Sequence, residues 1–375
     1  MRILSVCVTM PSETAEWWRI SNIANILRAR GHRVDFIHYV PRNAVENNED
    51  ELSKNARVFI TNFPGRANIE HLRMLVNEKD YDLVYANTHL ACYFSLIGRL
   101  CQVPLVFDIH GDLVAEYRLH KGRLRNLPFY SIGLFKRGLI DVMDSYGANL
   151  IVCVSRKMIQ SLQEKGVSSN RIAYVTNGVD LDFFRQSSQI EIDDLKAKLG
   201  LEEKFVVGYV GRYQKWQGVQ RLIEAANSTN DDEIAYLFVG GENRFETRNI
   251  ISLRELPRKD ICTYYSICDI LILPRPDNKA TQIAAPMKFS EYAAMGKPIL
   301  TTRVGDAADL VQKYSCGLVV DSNSPEHLIK GINDLKSRSK TELSEMGYRS
   351  RRMAEIEYDW RKIGEDLVKS VESLK

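Results

Sequence analysis

The sequence contains no apolar run long enough to cross a membrane. A membrane-spanning helix needs about 20 consecutive apolar residues, and the longest candidate run, which begins at Leu90, is interrupted by Arg99. The sequence also lacks an excess of one charge, since Lys and Arg total 51, Asp and Glu total 48, and the formal net charge is +3. A dedicated nucleic-acid binder is usually more basic over the whole chain. Nucleic-acid binding would therefore have to use a local basic patch.

Paired cysteines are also missing. The seven cysteines are scattered, form no CxxC pair, and in several cases lie inside apolar runs, as Cys153 does in residues 151–154. Disulfide frameworks and zinc sites need cysteines at regular spacings, so we expect reduced, buried thiols and no structural metal. The residues after Met1 run directly into a strand pattern without the long apolar core of a signal peptide. We therefore expect a cytoplasmic protein.

The chain of 375 residues is long enough for two domains. Short apolar runs alternate with helical patterns, which is typical of α/β folds with parallel sheets. These runs predict strands at residues 2–9, 33–39, 83–86, 105–108, 150–154, 172–175, 205–210, 234–239, 270–273, 299–302 and 317–320. A polar, acidic stretch from Arg185 to Lys204 divides them into two series and predicts a hinge. The sequence thus predicts two doubly wound domains in tandem, with ligands at the carboxyl ends of the strands.

The most specific segment is residues 284–298. Pro286 suits the first position of a helix and Gly296 suits its carboxyl-terminal cap. The segment therefore predicts a helix of about ten residues that follows a loop of small residues. The free N–H groups and the positive dipole end of such a helix form an anion site.

Side chains around this helix start fit the same chemistry. Ala284 and Ala285 are small enough to let a phosphate approach the backbone closely. Lys288 and Glu291 share one face of the helix at a spacing of three residues. A surface ion pair on a capped helix explains that spacing equally well.

A second segment, residues 207–218, follows the first strand of the second series. Gly208 and Gly211 permit close approach of the backbone, and Arg212 and Lys215 can neutralise a diphosphate. A pair of glycines is more often a plain tight turn. The position directly after a domain's first strand favours the binding interpretation.

A third segment, residues 107–112, follows a strand of the first series. Asp108, His110 and Asp112 can position hydroxyl groups or move a proton. The alternative is structural, with Asp108 capping the next element and His110 held by a hydrogen bond. No further ligands at suitable spacing indicate a metal site.

A basic stretch covers residues 117–138. It has six Lys or Arg residues, no Asp or Glu, and interleaved aromatic and aliphatic residues. Such a patch can rest on an anionic membrane surface or bind nucleic-acid phosphates. An ordinary solvated basic face explains it at least as well.

Together these segments resemble the retaining GT-B glycosyltransferases of family 4. The matching stretches are residues 175–180, 209–212, 264–274 and 286–298, and the resemblance runs in order from about residue 1 to 370. It implies two Rossmann-like domains that face a central cleft. The acceptor-binding domain would be residues 1–185, the nucleotide-sugar-binding domain 186–355, and a final helix in 356–375 would pack back on the first domain.

The resemblance also implies roles for individual residues. Glu291 matches the glutamate that binds the donor ribose, Arg212 the arginine on the diphosphate, and His110 the histidine near the transferred sugar. The lysine usually found five residues after the arginine is Gln217 here, which makes Lys215 the substitute. The implied catalytic residues are His110, Arg212 and Lys215. The implied donor-binding residues are Gly211, Arg212, Lys215, Ala284, Ala285, Pro286, Met287, Lys288 and Glu291.

Two departures from the family pattern concern the sugar and the acceptor. Members often have an acidic residue at the position of Ile283, so the identity of the donor sugar is not predicted. Many members also have a glycine pair after the first strand, and residues 10–19 contain no glycine. The predicted acceptor-binding residues are Ser12, Glu13, Thr14, Trp17, Arg19, Asp108 and Asp112.

The resemblance implies a function that can be stated as a reaction. A sugar would pass from a UDP- or GDP-linked donor to an acceptor hydroxyl with retention at the anomeric carbon, without a metal or other cofactor. The expected partners are a nucleotide sugar, a glycan or lipid-linked acceptor and, through residues 117–138, an anionic membrane, but no nucleic acid. A nucleotide-sugar epimerase of the same fold, which needs no acceptor, and a non-catalytic nucleotide-sugar-binding protein are the alternatives.

Overall fold

The computed structural model describes residues 1–8, 15–40, 57–60, 66–79, 81–97, 103–121, 128–241, 249–321 and 324–375. Ser12, Glu13 and Thr14, for which we predict acceptor binding, lie outside these residues. Residues 122–127 of the basic stretch lie outside them as well.

The chain divides into two compact units. The first comprises Met1–Thr176 and Trp360–Lys375, and the second comprises Asn177–Asp359. The boundary thus falls before the predicted one at Arg185, because the intervening residues pack into the core of the second unit. The side chains that do so are Val179, Leu181 and Phe184.

The first unit contains a seven-stranded parallel sheet with the order β3-β2-β1-β4-β5-β6-β7. Its strands are β1 (Arg2–Cys7), β2 (Arg33–Val40), β3 (Arg57–Ile60), β4 (Leu83–Asn87), β5 (Leu105–Ile109), β6 (Leu150–Cys153) and β7 (Ile172–Tyr174). Its helices before the boundary are α1 (Ala15–Ala29), α2 (Arg66–Lys79), α3 (His89–Ile97), α4 (Leu113–Lys121), α5 (Pro128–Gly147) and α6 (Arg156–Glu164). The strand order reverses between β1 and β4.

The second unit contains a six-stranded parallel sheet with the order β10-β9-β8-β11-β12-β13. Its strands are β8 (Phe205–Val210), β9 (Ile234–Val239), β10 (Ile250–Leu253), β11 (Ile270–Leu273), β12 (Ile299–Thr302) and β13 (Gly317–Val320). Its helices are α7 (Gln189–Leu199), α8 (Val219–Ser228), α9 (Ile261–Ser266), α10 (Lys279–Ile283), α11 (Met287–Ala294), α12 (Gly305–Tyr314), α13 (Pro325–Lys336) and α14 (Lys340–Glu357). Its order reverses between β8 and β11.

Alternation along β8 shows why the second sheet is covered on both faces. Val206 and Val210 pack into one apolar cluster, whereas Val207 and Tyr209 pack into another. Successive strand residues point to opposite faces, so helices must cover both sides of this sheet, as is usual for parallel sheets.

The last helix, α15 (Trp360–Glu372), packs on α1 in the first unit. Ile23 and Leu27 of α1 are buried in one cluster with Leu367 of α15. Gly364 allows the close approach of the two helices, since a Cβ there would lie 2.8 Å from the side chain of Ile26. The chain end is therefore part of the first unit's core.

The doubly wound α/β architecture is confirmed, and each predicted strand is present. Strands β3 and β10, which we do not predict, are the outer strands of their sheets. Each has four residues, and an edge strand paired on one side needs no long apolar run. The predicted hinge also holds a regular helix, α7, which begins with a capping box at Ser188.

Candidate functional site

The candidate site lies at the carboxyl ends of β8 and β11, where the second sheet reverses its order. Open α/β sheets bind ligands at such switch points. Helix α11 is fixed to this edge, because Tyr292 Oη accepts a hydrogen bond from Val210 N at 3.1 Å and donates one to Val210 O at 3.3 Å. In the first turn of α11, Lys288 reaches Tyr209 of β8. The amino-terminus of α11 therefore lies at the switch point.

The loop before α11 differs slightly from the prediction. Pro286 has an extended backbone and is the N-cap, so the helix begins at Met287 instead of at Pro286. Ala284 and Ala285 precede it and are half-buried. Asn177 Nδ2 donates a hydrogen bond to Ala285 O at 2.6 Å and holds the loop in place.

Lys288 is a cation held close to an aromatic ring. Its Nζ donates to Tyr209 Oη at 2.8 Å and lies 4.4 Å from the centre of the Tyr209 ring. Burial and the positive charge of Arg275 together lower the pKa of Lys288 to about 7, against the opposing effect of Glu291. An anion bound here would favour the charged ammonium.

Gly211 leaves room for the Lys288 ammonium because it has no side chain. Its φ of +138° lies in the region that favours glycine. A Cβ at this position would also collide with Lys288 Nζ. The backbone after β8 and the lysine can therefore be this close only with glycine at 211.

Glu291 lies one turn further along α11. Its Oε2 accepts a hydrogen bond from the buried Tyr265 Oη at 2.8 Å. Burial raises the pKa of Glu291 against the opposing effects of Tyr265, Arg258 and Lys288. The carboxylate is thus held in a fixed orientation, suited to accept hydrogen bonds from ligand hydroxyls.

Arg212 and Lys215 are at the surface of the loop after β8. Arg212 Nη2 lies 3.8 Å from Glu255 Oε1, with both side chains exposed. Lys215 begins a short 3₁₀ helix and is exposed too. An exposed ion pair of this kind is worth at most about 1 kcal/mol, so Arg212 is not fixed by it.

The position where the family often has an acidic residue offers no polar group. Ile283 is 5% exposed. Its neighbour Gln282 donates from Nε2 to Asp277 Oδ1 at 2.8 Å and accepts at Oε1 from Gly305 N at 2.8 Å. Both the nitrogen and the oxygen of the Gln282 amide therefore form hydrogen bonds within the protein.

Arg275 was missed by the sequence reasoning. It follows Pro274, the first residue after β11, and is 6% exposed. Burial lowers its pKa to about 10. Its Nε has no hydrogen-bond partner among the residues that the structure describes. The only signal in the sequence is a single arginine directly after an apolar strand and Pro274.

In the first unit Arg19 and Asp108 form a buried ion pair. Arg19 donates from Nη2 to Oδ1 at 2.8 Å and from Nε to Oδ2 at 3.0 Å, with side chains 2% and 0% exposed. Burial alone would raise the pKa of Asp108, but Arg19 and His110 outweigh it and lower the pKa to about 2. The structure thus places these two predicted acceptor residues in the core instead of on an open surface.

His110 and Asp112 follow β5 and have different environments. His110 is 24% exposed, with Nε2 at 3.4 Å from Asp108 Oδ2. Asp112 is buried and accepts a hydrogen bond from Ala115 N at 2.7 Å, which caps α4. The capping function that we considered for Asp108 thus falls to Asp112, and His110 is the one of the three that reaches the surface.

Trp17 is packed against its own unit. Its ring centre lies 5.6 Å from that of Phe36 and 5.2 Å from that of His38, and it borders the core of the first unit. Within the described part of the chain, no three His, Cys, Asp or Glu side chains lie close enough together to hold a metal ion.

A buried histidine–aspartate pair, which the sequence did not predict, contacts the loop at 110–112. His89 Nδ1 lies 3.0 Å from Asp144 Oδ2, and His89 Nε2 lies 3.1 Å from Gly111 O. Burial raises the pKa of Asp144 to about 6 against the effect of His89. The two residues are far apart in sequence, and neither belongs to a motif that would have indicated the pair.

Two family descriptions together cover most of the chain. Residues 191–353 match "Glycosyl transferases group 1", and residues 18–183 match "Glycosyltransferase Family 4". Similar curated proteins include Spore coat protein SA of Bacillus subtilis, 25% identical over 58% of this chain and 63% of that protein. The D-inositol 3-phosphate glycosyltransferase of Corynebacterium urealyticum is 25% identical over 56% of this chain and 54% of its own length. The chain therefore matches less than two thirds of either relative.

Solved structures share the fold over the full length. The Anabaena protein HepE in complex with UDP and glucose has a TM-score of 0.77 at 20% identity, covering 100% of both chains. Sucrose-phosphate synthase from Thermosynechococcus elongatus has a TM-score of 0.80 at 16% identity, covering 100% of this chain and 99% of that one. The solved structures show that the chain has the GT-B fold, and the two family matches show that it belongs to the family 4 glycosyltransferases.

Proposed function

We propose that the protein transfers a sugar from a UDP- or GDP-linked donor to an acceptor hydroxyl, with retention at the anomeric carbon. The observation that carries this proposal is the pairing of Lys288 and Glu291 on one turn of α11, at the switch point of the second sheet. A cation beside a helix start suits a diphosphate, and a fixed carboxylate suits ribose hydroxyls. HepE, which shares the fold, was solved with UDP and glucose.

In this proposal the charge that develops on the leaving diphosphate is stabilised by side chains. Lys288 lies at the start of α11, and Arg212 and Lys215 are exposed on the facing loop after β8. Cations and backbone N–H groups that face such developing charge stabilise it, so we expect turnover without an added metal. His110 would orient the sugar from the carboxyl end of β5.

A surface of the first unit supports a membrane-bound or lipid-linked acceptor. Helix α5 exposes large apolar side chains at spacings of three and four residues: Phe129, Ile132, Phe135, Leu139, Val142 and Tyr146. Its acidic residues do not reach this face, because Asp141 pairs with Lys165 and Asp144 with His89 inside the unit. Lys136 is exposed on it. An apolar face with basic residues binds anionic lipid surfaces.

The apolar face of α5 does not make that helix a membrane span. No helix in the described ranges is both long and apolar enough to span a bilayer. We propose peripheral contact through residues 117–138 and the rest of α5, and a role in glycan, cell-surface polysaccharide or glycolipid assembly.

The proposed reaction is tested by incubating the protein with a panel of UDP- and GDP-sugars, with and without sugar or lipid-linked acceptors, and following products by NMR. We expect one donor to give a glycoside with the anomeric configuration of the donor, and donor alone to give slow hydrolysis. An inverted product would contradict retention. Formation of an epimer from donor alone would replace the transferase with the epimerase.

A further inference from the structure

Arg275 is a buried cation that forms no ion pair within the part of the chain that the structure describes. Its side chain is 6% exposed, and in the described residues it makes no ion pair and its Nε no hydrogen bond. Its backbone is well fixed, since Thr302 Oγ1 at the end of β12 donates to Arg275 O at 2.6 Å. A buried charge without a partner is costly, so a ligand that supplies the opposite charge would be stabilised here.

A second cation, Lys288, contacts Tyr209. Its Nζ donates to Tyr209 Oη at 2.8 Å and lies 4.4 Å from the centre of the ring. The positive charge of Arg275 lowers the pKa of Lys288 and also that of Tyr209. Glu291 opposes this effect on Lys288, and its carboxylate accepts a hydrogen bond from Tyr265. Two like charges that both act on one tyrosine fit a ligand with more than one negative charge.

The position of the pair agrees with a diphosphate. Arg275 follows β11 and Tyr209 is near the end of β8, so both lie at the switch point beside the start of α11. Gly211 keeps the adjoining backbone free of a side chain. By contrast, Arg212, to which the family resemblance gives the diphosphate, is 63% exposed.

We propose that Arg275, together with Lys288, is the principal anchor of the donor's diphosphate, and that Arg212 contributes less than the family pattern implies. The proposal rests on the proposed use of a nucleoside-diphosphate donor. Neither the sequence motifs nor the family resemblance assigns Arg275 to the site.

The test compares binding of UDP, GDP and inorganic pyrophosphate to the wild-type chain, Arg275→Gln and Arg212→Gln by isothermal titration calorimetry at fixed ionic strength. We expect Arg275→Gln to weaken binding of the preferred nucleotide and of pyrophosphate about 10-fold or more, as loss of a charge-assisted hydrogen bond does. Arg212→Gln should weaken it less than about 3-fold. The matching nucleoside, which has no phosphate, should bind both variants like wild type.

Thermal unfolding without ligand separates a binding role from a structural one. Because Arg275→Gln removes a buried charge that has no ion pair within the described ranges, its melting temperature should equal or exceed that of wild type. A lower melting temperature with unchanged pyrophosphate binding would overturn the proposal. If Arg275→Gln does not fold, Arg275→Lys keeps the charge without the guanidinium fork and should still weaken pyrophosphate binding several-fold.

The outcomes distinguish this inference from the proposed function. If the wild type binds a nucleotide and Arg275→Gln binds it equally well, the Arg275 assignment fails while the donor class stands. If the wild type binds pyrophosphate through Arg275 but neither nucleotide, the anion site stands and the proposed donor fails.

Discussion

The ammonium of Lys288 has a pKa close to neutral pH, and this makes ligand binding depend on pH. Burial lowers that pKa to about 7, so the free protein loses the charge as pH rises through neutrality. A bound diphosphate favours the ammonium. Binding must therefore take up a proton and weaken as pH rises above about 7.

This pH dependence is measured with a nucleotide sugar, whose diphosphate does not itself titrate near neutral pH. We expect affinity to fall between pH 7 and 9 by up to about 10-fold for each pH unit, and Lys288→Met to bind more weakly with no such slope. A wild-type affinity that is constant over this range would contradict a role for Lys288 on the phosphates.

The backbone at Gly211 provides a second test at this scale. Gly211→Ala must place a Cβ against Lys288 Nζ at a φ of +138°. We expect it to lower the free energy of unfolding by about 1–3 kcal/mol and to weaken nucleotide binding. Gly138→Ala is the control, because a Cβ there meets nothing within 4 Å and a helical alanine is favoured by about 1 kcal/mol. Equal urea midpoints for the two variants would show that Gly211 is not required.

At the scale of elements, the buried strands are the best predicted from sequence. Strands such as β6 and β11 are buried over their whole length, and both appear in the sequence as continuous apolar runs. The edge strands β3 and β10 have no such signal. The predicted start of α11 is one residue too early. Proline is common at the first helical residue, but the backbone of Pro286 is extended, which makes it the N-cap.

The exposed face of α5 gives a prediction for a whole element. Phe135 and Leu139 are 73% and 50% exposed, and each buried apolar side chain is worth about 1.5–3 kcal/mol. The double variant Phe135→Ser with Leu139→Ser should therefore lower the fraction of protein that floats with anionic liposomes by 10-fold or more. Ile190→Ser, which removes a side chain 74% exposed on the second unit, is the matched control.

Two results would contradict this account of α5. One is wild-type protein that floats equally well with neutral and anionic liposomes. The other is an Ile190→Ser variant that loses as much binding as the double variant.

At the scale of the whole molecule, the site was predictable where one segment carries it. Lys288 and Glu291 share a single helix whose start and end appear in the sequence, and the structure brings Gly211 to them. Arg275 could not be found in this way, because its significance depends on burial and on an Nε without a hydrogen-bond partner among the described residues. The prediction for Arg19 and Asp108 differed from the structure for another reason, since their ion pair joins residues that are distant in sequence.

The central claim is that the second unit binds a nucleoside-diphosphate sugar at the start of α11 through Glu291 and its neighbours. Its most direct test is calorimetric titration of UDP and GDP into wild type, Glu291→Gln and Glu345→Gln, the last an exposed carboxylate of α14. We predict that the wild type binds one nucleotide, that Glu291→Gln binds it at least about 10-fold more weakly, and that Glu345→Gln matches wild type. Binding of neither nucleotide by the wild type, or equal binding by Glu291→Gln, would contradict the claim.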